Sequence, residues 1–81
     1  MPTQQNLLGA TIKRFRERKG MTQYAVAQRM RWRGTAPVVE IEKGRRIPRQ
    51  DTLRDLGKCL GLNDPDVKYL YGLARACAKS V

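Results

Sequence analysis

Residues 22–44, TQYAVAQRMRWRGTAPVVEIEKG, decide how this chain is read. Thr22 offers a hydroxyl that can cap a helix, and Val26, Ala27 and Met30 recur on one side of it, which predicts a short helix ending at Met30. The segment RWRGTAP interrupts that periodicity: Gly34 sits among basic residues, and Pro37 stands where a helix can begin without its N–H. A further short helix is expected from Thr35 to Lys43, stopped by Gly44. The stretch is therefore two short amphipathic helices joined by a tight turn.

The second of these helices divides its side chains. At about 100° per residue, Val38 and Ile41 point inward while Ala36, Val39, Glu40 and Lys43 cluster outward. An outward valine has a use in a DNA groove. Val39, Ala36 and the methyl of Thr35 can meet a thymine methyl, and Glu40 can accept from a cytosine amino group. A plain solvated face, with Glu40 paired to Lys43, is the alternative. Arg29, Arg31 and Arg33 precede this helix and Lys43, Arg45, Arg46 and Arg49 end or follow it, against only Glu40 and Glu42. Phosphates line both lips of a groove that a helix enters, so Arg31, Arg33, Lys43, Arg45 and Arg46 are expected to hold the backbone. Trp32 lies in the turn, where an indole can either pack in the core or donate its N–H to a phosphate.

Upstream, Leu8, Ile12 and Phe15 mark the inner face of a helix over Asn6–Lys19, with Lys13, Arg14, Arg16, Glu17 and Arg18 outside and Gly20 as its stop. Downstream, Leu53, Leu56 and Leu60 mark a fourth helix over Asp51–Leu60, closed by Gly61. Asp64 is expected to cap a fifth, with Pro65 in its first position and Val67, Leu70, Ala74 and Cys77 on one face towards Lys79. No strand alternation or internal repeat is present. Five helices in 81 residues imply an all-α fold, and residues 1–81 are read as one domain because so short a chain builds only one core.

Composition narrows the function. Seventeen Lys and Arg against seven Asp and Glu give a net charge of +10, which a polyanionic partner explains most simply. There is no His and no paired cysteine spacing, so ordinary zinc sites and His-based acid/base chemistry lack their groups; no metal, no cofactor and no catalysis are expected. Cys59 and Cys77 lie among apolar residues and read as core-filling thiols. With one Trp, three Tyr and one Phe, a stacking platform for single strands is disfavoured. RNA duplexes are disfavoured too, because their narrow major groove excludes a helix. No long apolar run and no signal-like N-terminus is seen, so a cytoplasmic protein without a membrane partner is expected.

The order of MTQYAVAQRM, VVEIEKGRRIP and TLRDLGKCLGL resembles the XRE or Cro/C1 (lambda-repressor-like) helix-turn-helix family, over about residues 7–62, followed by the C-terminal helix at about 64–79. The resemblance implies a five-helix lambda-repressor-like domain and a repressor-type transcriptional regulator that binds duplex DNA sequence-specifically, with helix three in the major groove. It also implies that Gln23 holds a phosphate and that the start of helix three supplies base contacts, which selects Thr35, Ala36, Val39 and Glu40. Relatives of this fold also act as antitoxins or co-regulators through protein partners, which is the competing reading. The chain departs from the family in several places. The turn is one residue longer, Ala25 replaces the capping-box acid, Arg49 stands where a Ser cap is common, and helix three presents no Gln, Asn or Arg. Finally, the fifth helix, whose stripe is joined by Tyr71 and Ala78, carries more apolar surface than one small core needs. A two-fold homodimer through Leu70, Tyr71 and Ala74 is therefore expected, spacing two recognition helices one DNA turn apart.

Overall fold

The computed structural model describes residues 4–79, with side chains over residues 7–77. The described residues form five helices: α1 (Gln4–Arg18), α2 (Gln23–Arg29), α3 (Ala36–Glu42), α4 (Gln50–Cys59) and α5 (Asp64–Lys79). Among the described residues there is no strand, and no helix is long and apolar enough to cross a membrane. The expected all-α, five-helix architecture is what the chain adopts. Ala78, expected to adjoin the α5 stripe, lies outside the described side chains.

Each helix buries the stripe its periodicity marks. Leu8 and Ile12 of α1, Val26 and Ala27 of α2, Val38 and Ile41 of α3, Leu53 and Leu56 of α4, and Leu70 and Cys77 of α5 form one buried cluster. Phe15, Met30, Trp32, Tyr71 and Ala74 pack against it from partly buried positions, so Trp32 does sit on the core. The helix α1 packs on α5 and α3, α4 on α5, and α2 on both α3 and α4.

Local chemistry sets the helix ends. The Thr22 hydroxyl accepts from the Ala25 N–H at 3.0 Å, half of a capping box whose acidic half is missing. Arg49 begins α4 without a side-chain cap. At α5 the cap is Asn63, whose side-chain oxygen accepts from the Asp66 N–H at 3.1 Å; Asp64, expected in that role, is already the first helical residue. Asn63 takes over because the donors left free by a helix start point back to the residue before it.

Four helices end in the same way, with one residue in the left-handed conformation. Gly20, Gly44 and Gly61 fill that position after α1, α3 and α4, at φ 76°, 78° and 68°. After α2 the residue is Arg31, at φ 60°, while Gly34 is not left-handed. The hydrogen bonds match a glycine cap: Trp32 N–H donates to the Ala27 carbonyl at 2.9 Å and Arg31 N–H to that of Gln28 at 3.0 Å. A side chain in this conformation costs about 1–2 kcal/mol relative to glycine.

A close approach elsewhere requires glycine for its size. A Cβ on Gly9 would fall on the carbonyl oxygens of Ile41 and Glu42, so α1 crosses the end of α3 at backbone contact.

Candidate nucleic-acid interface

Helix α3 is fixed from below and open above. Val38 and Ile41 are each 3% exposed in the core, and Pro37 sits in the first turn. Of the side chains expected to meet bases, Ala36 is exposed and Thr35, Val39 and Glu40 are half-buried. Thr35 precedes the helix without using its hydroxyl as a cap, which leaves that hydroxyl for another partner.

The end of α3 is held by an ion pair between residues that periodicity alone does not bring together. Arg16, expected on the outer face of the first helix, is 9% exposed. Its Nε donates to Glu42 Oε2 at 2.6 Å, its Nη2 to Glu42 Oε1 at 3.2 Å, and its Nη1 to the Met21 carbonyl at 2.8 Å. The Glu42 side chain is 4% exposed. The hydrogen bonds to Glu42 hold the Arg16 guanidinium above its ordinary pKa, more than offsetting the opposing effect of burial. Two opposite charges inside the fold are tolerable because each satisfies the other's hydrogen-bonding atoms. Arg16 follows Leu8 and Ile12 at spacings of four, and Glu42 follows Val38 likewise, so a charge on each apolar stripe was the available signal.

Gln23 joins this pair. Its Nε2 donates to Glu42 Oε1 at 3.1 Å, which orients the side chain at the start of α2. One amide hydrogen and the amide oxygen have no partner among these bonds, so the group is aimed but not used up.

The basic residues fall at both ends of α3. Arg31 and Arg33 lie exposed in the turn before it, and Lys43, Arg45 and Arg46 lie exposed after it. The Glu40 carbonyl accepts from Arg45 N–H at 2.9 Å and Arg46 N–H at 3.2 Å, folding the loop around the helix end. The Glu40 carboxylate lies 3.8 Å from Arg45, not beside Lys43. That exposed pair contributes little, about 0–1 kcal/mol, so it leaves Glu40 able to turn to another donor.

The homodimer surface needs a correction at one residue. Leu70 is 0% exposed, because α1 and α4 both close over α5, and its side chain has nothing to offer a partner. Tyr71 and Ala74 are half-buried and line an open groove with Ile47, Pro48, Gln50, Leu53 and Arg75. Among the described residues, the exposed large apolar side chains are Leu7, Tyr24 and Tyr69. Cys59 and Cys77 are buried thiols, and burial pushes both up from the usual thiol pKa.

Two comparisons with known proteins agree with this geometry. The chain is similar to the crystal structure of the clp gene regulator ClgR from C. glutamicum, with 26% identity, a TM-score of 0.74, and 95% of each chain covered. No curated protein matches it. The helix-turn-helix domain family matches residues 7–70, spanning α1 to the middle of α5 and containing every residue of the α2, turn and α3 unit. The chain belongs to the helix-turn-helix domain family.

Proposed function

We propose that this protein is a sequence-specific duplex-DNA-binding transcriptional regulator of the repressor type, cytoplasmic, that seats α3 in the major groove. The observation carrying this reading is the division of α3: an apolar underside locked in the core, a mixed outer face, and exposed arginines at both ends. Thr35, Ala36, Val39 and Glu40 read base edges. Gln23, Arg31, Arg33, Lys43, Arg45 and Arg46 hold phosphates, with Gln23 directed by Glu42. The family and the regulator named above support the DNA-binding part of this reading.

A two-fold dimer belongs to the same reading, since it places two α3 helices about 34 Å apart on a palindromic site. With Leu70 inside the monomer, the interface falls to Tyr71, Ala74 and the half-buried Ile47 beside them. Selection of bound sites from random duplex DNA tests the proposal. A recovered consensus of two inverted half-sites is expected; a pool that stays random after repeated selection overturns sequence-specific binding.

A further inference from the structure

An open groove of about 480 Å³ lies between the end of α2 and α4, lined by Arg29, Met30, Arg31, Asp55, Lys58 and Cys59. Its three cations are exposed, and neither of the ion pairs found among the described residues, Arg16–Glu42 and Arg45–Glu40, involves them. Asp55 lines the same groove without pairing to any of the three. The second observation is the backbone of Arg31. Three of the four left-handed helix ends carry glycine, and the one at this groove carries arginine instead. Strain retained at one of four equivalent positions points to a use for the side chain.

We propose that this groove is a second binding site for the sugar–phosphate backbone of duplex DNA, lying beyond the base pairs that α3 reads. Arg31 keeps its strained conformation because its charge serves that site, together with Arg29 and Lys58. The inference rests on the DNA-binding function proposed above; it adds Arg29 and Lys58, which the recognition helix and its flanking loops do not include, and assigns the phosphate held by Arg31 to this outer stretch of backbone.

Backbone phosphate suits the groove better than a protein partner. A helix preceding the recognition helix crosses the DNA backbone, so the end of α2 and its turn travel alongside the duplex. Protein partners instead seek buried apolar centres. Here Cys59 is 7% exposed and Met30 packs against the core, so the apolar members form the floor and the cations form the rim.

The test uses two duplexes with the same central sequence, one trimmed to the two half-sites at about 20 base pairs and one extended by about 10 more on each side. Anisotropy titrations over about 50–200 mM salt give the log–log slope for each. Arg29→Ala with Lys58→Ala is expected to reduce the slope on the extended duplex by about 1.8, at about 0.9 for each phosphate no longer neutralised, and to leave the trimmed duplex unchanged. Arg31→Gly is expected to reduce that slope by about 0.9 while raising the thermal midpoint by about 4–8 °C. A wild-type slope for the double variant on the extended duplex overturns the proposal. Equal reductions on both duplexes, or a stabilised Arg31→Gly protein with unchanged DNA binding, do the same. If the unaltered protein binds both duplexes with one slope, only the groove fails; if it binds neither, the proposed function fails with it.

Discussion

Arg16 of α1 and Glu42 at the end of α3 face each other through two hydrogen bonds, at 2.6 Å and 3.2 Å, with side chains 11% and 4% exposed. The pair fixes α3 against the scaffold and orients Gln23 at the same time. Removing one member leaves the other charge buried and unpaired. Glu42→Ala is expected to cost about 3–5 kcal/mol in urea unfolding, whereas Arg16→Met combined with Glu42→Leu recovers most of it. If the double variant is as unstable as Glu42→Ala alone, the pair is not the cause of the loss.

Two glycines in helices should respond in opposite directions. At Gly9 an added methyl meets the backbone of Ile41 and Glu42, which cannot retreat without moving α3, so Gly9→Ala should destabilise by about 1–3 kcal/mol. At Gly72, in α5, an added methyl meets nothing within 4 Å, so Gly72→Ala should stabilise by about 0.5–1 kcal/mol. Denaturation midpoints measured side by side decide this, and a tolerated Gly9→Ala would contradict the close crossing of α1 and α3.

Leu70 and Tyr71 are neighbours in sequence with different expected roles. Leu70→Asp places a charge in the core and is expected to unfold the monomer. Tyr71→Asp lies at a half-buried rim and should leave a folded protein that sediments as a monomer and binds a palindromic site at least about tenfold more weakly. An unchanged mass in solution, together with unchanged affinity, removes the dimer from the account.

The buried thiols give a check on the core. Cys59 and Cys77 are held protonated inside the fold, so a thiol reagent at neutral pH should label neither in the native protein and both after unfolding. Rapid native labelling of Cys77, which is 0% exposed, would show that the α5 packing opens easily.

Much of the fold was legible because apolar spacing and glycine stops act locally. Val38, Ile41, Leu53 and Leu56 are buried as their spacing predicts, and Gly20, Gly44 and Gly61 end their helices. What escaped depends on partners distant in sequence. Arg16 reads as a surface residue until Glu42, 26 positions away, is seen to meet it. Leu70 reads as spare apolar surface until α1 and α4 are both packed over α5. Arg31 escaped for another reason: its residue type gives no sign of a left-handed conformation, and the hydrogen bonds to Ala27 and Gln28 place that conformation on it, one residue past the Met30 cap of α2. In the candidate site, the outward set on α3 followed from periodicity, while the anchoring of Gln23 required the fold.

The central claim, that α3 reads base edges while its flanks hold phosphates, is tested most directly by affinity ratios. Binding to a selected site and to its scrambled version is measured for Val39→Ala, Glu40→Gln, and for Gln23→Ala, Arg45→Ala and Arg46→Ala. The first two are expected to lose about 1–3 kcal/mol on the selected site and little on the scrambled one, collapsing the ratio. The other three should weaken both sites by similar factors and preserve it. Equal losses on both sites for Val39→Ala and Glu40→Gln would contradict base reading by α3.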